Sequence, residues 1–148
     1  MKIHRGEEAS DTKLCANSQT IVSGDFVTLS GNTVTKSVAT GIIDGVSNQT
    51  LTSAADNVTV AQKTITFTKN GEETEYDCTI TGGTITSADE GKFYNLTAGG
   101  LVDGATESTV ASYIDTTSAA AVDAVVRFQL RMVKFISATR SIFKVNTL

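Results

Sequence analysis

Glu72, Glu73, Glu75 and Asp77 form the densest run of potentially reactive side chains in this 148-residue sequence. Paired carboxylates act as acid and nucleophile in glycoside hydrolysis, and crowding raises their pKa values when water is removed. Alternate residues of a strand share a face, so Glu73, Glu75 and Asp77 line up on one side. The ordinary reading is the solvated face of a hairpin. Cation binding and a hydrolase row are the alternatives, but aromatics to stack a sugar make up only 6% of the chain. The single histidine, His4, would have to serve any Ser–His–Asp arrangement, and no GxSxG accompanies it. It reads as a surface or contact residue. Cys15 and Cys78 stand far apart without a CxxC, as small hydrophobes of a reducing compartment do; a disulfide between them is the alternative. Zinc sites use about four N or S ligands, more than two dispersed cysteines and one histidine supply. Asp44-Gly45, Asp89-Glu90-Gly91 and Asp103-Gly104 offer oxygens to calcium, yet Asp-Gly is also common turn chemistry and no EF-hand spacing appears. There is no P-loop and no dinucleotide-binding glycine pattern. The expectation is a chain without catalytic residues, cofactor or metal, and not an enzyme.

Composition says what must hold these residues. Proline and tryptophan are absent, charged residues make up 19%, and threonine fills 24 positions, as suits strands with a hydrated face. The length allows one domain, or two very small ones. No apolar run is long enough for a membrane helix, and the first residues lack the apolar core of a secretory signal. Synthesis and retention in a cytoplasm are therefore expected. Net charge −4 argues against general nucleic-acid binding. The charge is uneven: the first 123 residues carry −9, while Arg127, Arg131, Lys134, Arg140 and Lys144 give the last 25 residues +5. That basic stretch reads as a solvated strand face or as an arm docking on an acidic partner.

Residues 1–19 read as a charged arm. From Thr20 onward, short apolar runs broken by Gly, Asn and Asp give an all-β pattern: Phe26-Val27-Thr28-Leu29, Ile42-Ile43, Val58-Thr59-Val60 and Phe93-Tyr94-Asn95-Leu96. Asn70-Gly71 predicts a type I′ hairpin over 63–81 that pairs Lys69 with Glu72. Its inner face would hold Ile65, Phe67, Tyr76, Cys78 and Ile80. Between Ser118 and Ile136 the spacing is ambiguous. A short alanine turn followed by a strand, with Val126, Phe128, Leu130 and Met132 alternating against Arg127, Gln129 and Arg131, accounts for it best. Ser141 to Val145 reads as a last strand.

Gly24 to Ser30 matches Gly91 to Thr97 at an offset of 67, and the same offset carries 54–58 onto 121–125. The period exceeds that of ordinary solenoids, so two half-units, about 22–60 and 89–127, are expected to close one barrel. The expected fold is all-β: a compact β-barrel or barrel-like sandwich of two similar halves over 20–133. An extended N-terminal arm (1–19) and a basic C-terminal tail strand (134–148) flank it.

Two phrases carry a resemblance. Val22-Ser-Gly-Asp-Phe-Val-Thr-Leu-Ser-Gly-Asn-Thr-Val-Thr-Lys36, followed by Ile42-Ile43-Asp44-Gly45-Val46-Ser47, resembles the first half of the small capsid decoration (cement, or auxiliary capsid) proteins of tailed bacteriophages. Ile85-Thr-Ser-Ala-Asp-Glu-Gly-Lys-Phe-Tyr-Asn-Leu-Thr-Ala-Gly-Gly100 resembles their second half, and Val125 to Leu130 their closing strand. The likeness spans roughly 20–132; the charged arm, the Asn70-Gly71 hairpin and the basic tail depart from it. It implies a β-barrel on the outer face of the major capsid protein lattice, stabilising the head, often as trimers. The location is then the virion surface, after a passage through the host cytoplasm, with neither nucleic acid nor membrane as partner. In this reading the termini act as clasps: Lys2, Ile3, His4, Arg5, Glu7 and Glu8 on the arm, and Phe135, Arg140, Ile142, Phe143 and Lys144 on the tail. A head-fibre base or carbohydrate-binding β module is the alternative, and it requires an exposed aromatic platform from Phe93, Tyr94 and Tyr113.

Overall fold

The computed structural model describes residues 2–5, 9–37, 43–71, 73–97, 102–108 and 130–145. The early strands are β1 (Lys2–Arg5), β2 (Ser10–Cys15), β3 (Thr20–Ile21), β4 (Phe26–Ser30), β5 (Thr33–Lys36), β6 (Gly45–Ser47), β7 (Leu51–Thr52) and β8 (Thr64–Lys69). The later ones are β9 (Glu75–Thr81), β10 (Phe93–Leu96), β11 (Val102–Ser108), β12 (Leu130–Ser137) and β13 (Arg140–Val145). The all-β expectation holds.

The first half closes a barrel in the order β2-β5-β4-β6-β8. Its β2–β5 pairing is parallel and the rest are antiparallel. Strand alternation sends Ile65 and Phe67 inward to Cys15, Ile21, Val27 and Val34. Thr66 points outward, where its hydroxyl lies 2.9 Å from that of Thr12. Among the described residues, closure gives each strand of this ring a partner on both sides. Gly45 is required where β6 crosses β8, because a Cβ there would overlap the Thr68 carbonyl oxygen.

The second half repeats this plan. Its sheet runs β1-β9-β11-β10-β12-β13, and a further β9–β13 pairing joins β9 through β13 into a ring. Again one pairing, β9–β11, is parallel and the others are antiparallel. Strand for strand, β2, β5, β4, β6 and β8 correspond to β9, β11, β10, β12 and β13. The 67-residue offset that relates β4 to β10 is thus a repeat of architecture. The expected single barrel is corrected: each half closes on its own, because five strands already pair around each ring. Residues 121–125, the other end of the matched phrases, lie outside the described residues.

The expected hairpin over 63–81 does not form. β8 gives one edge to β2 and the other to β6, so none remains for β9. Ile65 and Phe67 enter the first core, whereas Tyr76, Cys78 and Ile80 enter the second. Asn70 works at the junction. Its N–H donates to the Asp44 carbonyl at 3.0 Å, its side-chain amide donates to the Ile43 carbonyl, and the Tyr76 hydroxyl donates to its side-chain oxygen. The turn follows one step later, with Thr74 N–H donating to the Gly71 carbonyl at 3.1 Å. Phe26, Ile43 and Val46 of the first half pack into the second core, and Phe26 meets Tyr76 edge to face at 5.2 Å between ring centres. Such a pair adds about 0.5–1.5 kcal/mol beyond the area it buries.

Three further expectations are corrected. Residues 10–15 of the supposed arm are barrel strand β2, whose half-buried Asp11 and Lys13, 3.9 Å apart as an ion pair, disguise it as a charged tail. The supposed tail strand, β13, is integral to the second ring, with Ile142 and Phe143 at 1% and 0% exposure. Val58-Thr59-Val60 lies in a π-helical turn, Asn57–Ala61, and not a strand. The buried Asn57 amide fixes that turn by donating to the Cys15 carbonyl at 2.6 Å and accepting from Lys63 N–H at 3.0 Å. In β12 the expected alternation holds over its described part: Leu130 and Met132 are buried and Arg131 is exposed. Residues 118–129 lie outside the described residues.

Candidate functional site

The carboxylate row changes character once β9 is placed beside β13. Their register sets Asp77 opposite Ile142 and Thr79 opposite Arg140. Asp77 sits at 8% side-chain exposure under the Arg140 guanidinium, which donates through Nε at 2.8 Å and through a terminal nitrogen as well. This forked geometry is the strong form of a carboxylate–arginine pair, and the Asp77 carboxylate holds the Arg140 guanidinium still more firmly protonated than usual. Glu75 is buried at 5%, and Glu73, at 79%, accepts from Lys144 Nζ at 3.1 Å. Glu72 is outside the described residues. The row is therefore not a solvated hairpin face: Glu75 and Asp77 are covered, and Asp77 and Glu73 bind cations of the chain itself.

The Asp-Gly and Asp-Glu-Gly segments are likewise engaged locally. An Asp44 carboxylate oxygen accepts from Leu29 N–H at 2.7 Å, and Gly45 is a strand residue. Asp89 closes a capping box with Thr86 around the 3-10 turn Ser87–Asp89 and pairs with Lys92 at 3.0 Å. Thr86 N–H, and secondarily Lys92, hold its carboxyl below the usual carboxylate range. Gly104 lies within β11, where a Cβ would crowd Ile80 and the Gly82 carbonyl. Cys15 and Cys78 are free thiols in separate cores. Burial pushes the Cys78 thiol far above its ordinary range.

Of the partner-binding residues expected on the arm, Lys2, Ile3 and Arg5 take positions in the β1–β9 ladder, and His4 lies at its bulge. Glu7 and Glu8 are outside the described residues. On the tail, Ile142 and Phe143 are corrected to core positions, since side chains without exposed surface make no contact with a partner. Phe135 packs partly against the second core. Arg140 is engaged by Asp77, and Lys144 reaches a cleft. Tyr94, expected in an exposed aromatic platform, is 3% exposed and stacks edge to face with Phe143 at 6.3 Å. Tyr113 is outside the described residues.

That cleft, of about 350 Å³, is lined by Glu90, Gly91, Arg131, Met132, Val133 and Lys144. Arg131 and Lys144 are directly opposed across the β12–β13 ladder, an arrangement of like charges that costs stability. Glu90 accepts from Phe135 N–H at 2.8 Å and so caps the β12 edge. Gly91 donates to the Met132 carbonyl at 2.8 Å, with positive φ. From the sequence, Glu90 and Gly91 stand out only as part of a loop that could offer oxygens to calcium, and Arg131 only as one of the basic stretch. The basic tail was a signal for Arg131 and Lys144, but their opposition depends on a register that no local pattern gives.

The chain matches no known protein family and no curated protein.

Proposed function

We propose that this chain is a structural protein that decorates a viral shell, docking on the outer face of a major capsid protein lattice as the phage decoration proteins it resembles do. The observation that carries this reading is the tandem repeat. The phrases that resemble the two halves of that family fall on β4–β5 and on β10, at corresponding places in two rings of like topology. A chain that presents the same small barrel twice offers related surfaces to a repeating partner, and repeated weak contacts give avidity without a single strong site. The side chains with chemical potential support the same reading, since Asp44, Asp77, Asp89 and Cys78 are spent on hydrogen bonds, an ion pair, a cap and a core. The alternative carbohydrate-binding module loses support from the burial of Tyr94.

The clasp idea narrows with it. Removing residues 1–12 would cut into β2 and the first barrel, so the informative truncation ends before Ser10 and removes β1 alone. The test is co-sedimentation of the purified chain with shells assembled from the capsid protein of the same genome. Saturable uptake at a fixed ratio to capsid subunits is expected. No uptake at micromolar concentration overturns the proposal.

A further inference from the structure

Asn70-Gly71 is the one Asn-Gly pair in the sequence, and the observed turn does not use its conformational freedom. A type I′ turn needs positive φ at both central residues. Gly24, Gly31, Gly82, Gly83 and Gly91 have positive φ, whereas Asn70 and Gly71 do not. What Gly71 does supply is a backbone nitrogen with no Cβ beside it, next to a side-chain amide carbon that such a nitrogen can attack. The junction ties up both groups. The Asn70 amide donates to the Ile43 carbonyl, and its oxygen accepts from the Tyr76 hydroxyl. Gly71 N–H donates to Thr74 Oγ1 at 3.0 Å. Thr74 and Tyr76 are buried at 1% and 0%. Swinging the amide onto the Gly71 nitrogen therefore breaks bonds whose partners have no water to turn to, a cost that local opening removes.

We propose that Asn70 is a self-modification site, held back by the junction between the two rings, whose product weakens that junction when it closes again. On opening, the Gly71 nitrogen gives its proton to hydroxide and bonds to Asn70 Cγ. The side-chain nitrogen, protonated by water, leaves as ammonia. Water then adds to either carbonyl of the cyclic imide and breaks one C–N bond, leaving aspartate or isoaspartate. Both products carry a carboxylate in place of an amide donor, so the Ile43 carbonyl loses its N–H and faces a negative charge. Isoaspartate also adds a methylene to the main chain just after β8. Ile43 packs with Phe26 and Val46 into the second core, so the contact loosened is that of one ring with the other. None of this depends on what the chain docks on.

The experiment incubates the full chain at mildly alkaline pH beside a blocked Lys-Asn-Gly-Glu peptide. Peptide mass spectrometry with enzymatic isoaspartate detection follows position 70. Conversion about tenfold or more slower in the folded chain than in the peptide is expected, with the two rates converging in unfolding urea. Tyr76→Phe keeps the ring in the core but removes its bond to Asn70, and should speed conversion of the folded chain about fivefold. Thr74→Ala, which frees the Gly71 N–H, should act in the same direction, so the test does not hang on one variant folding. Asn70→Asp, standing for one product, should lower the urea midpoint. Equal rates in folded chain and peptide, no acceleration in either folded variant, or an unmoved midpoint for Asn70→Asp overturns the proposal.

Discussion

Asn70 separates two accounts of the chain, and replacing it with glycine tests them. In a type I′ hairpin, glycine is as welcome as asparagine at the first central position, so Asn70→Gly would be nearly neutral. In the observed junction the substitution removes the acceptor of the Tyr76 hydroxyl and the donor to the Ile43 carbonyl. Tyr76 is fully buried, so its hydroxyl gains no water in exchange. Leaving buried polar groups short of a partner costs about 1–3 kcal/mol, and the added backbone freedom of glycine roughly 0.5–1, so about 2–4 kcal/mol is expected. For a chain of this size that corresponds to a fall in Tm of roughly 4–16 °C. Urea unfolding followed by circular dichroism measures it. In a Tyr76→Phe background the same substitution should cost about 1 kcal/mol less, since the Tyr76–Asn70 hydrogen bond is already absent there. A loss below about 0.5 kcal/mol for Asn70→Gly in the native background, or no coupling to Tyr76, would refute the junction.

Gly45→Ala should prevent close β6–β8 pairing and cost about 3 kcal/mol or more, or abolish soluble expression, because the new methyl overlaps the Thr68 carbonyl. Gly31→Ala, with φ of 59° and open space around it, should cost only about 1–2 kcal/mol by the same unfolding measurement. Cys78 should resist a thiol reagent in the native state even at alkaline pH and react only as the second core opens, since burial disfavours its thiolate. Its labelling rate should therefore follow the unfolding equilibrium; fast labelling of folded protein would contradict its placement. The Asp89 cap supplies a pH signature. Its carboxyl is depressed in the folded state, so its contribution is present above the unfolded pKa and lost as pH falls through the folded one. Hydrogen exchange at Thr86 N–H should lose protection across that acid window, and Asp89→Asn should flatten the profile.

Local chemistry made part of this protein legible. Alternation is a property of neighbouring residues, so the all-β class and the inward Leu130 and Met132 against outward Arg131 could be read directly. The repeat of Gly24–Ser30 at Gly91–Thr97 likewise revealed two related strands, β4 and β10. Pairing is different, because a strand's hydrogen bonds go to partners that its own sequence does not name. The Asn70-Gly71 signal was sound turn chemistry, but β2 and β6 had taken both edges of β8, and ring closure outweighed the local preference. The carboxylates looked like a solvated row until β13 supplied Arg140 to Asp77 and Lys144 to Glu73, across 63 and 71 residues. In the same way, Arg131 and Lys144 are two cations of a basic tail in the sequence. Only the β12–β13 register, with bulges on either side of Lys134, makes them opposed walls of one cleft.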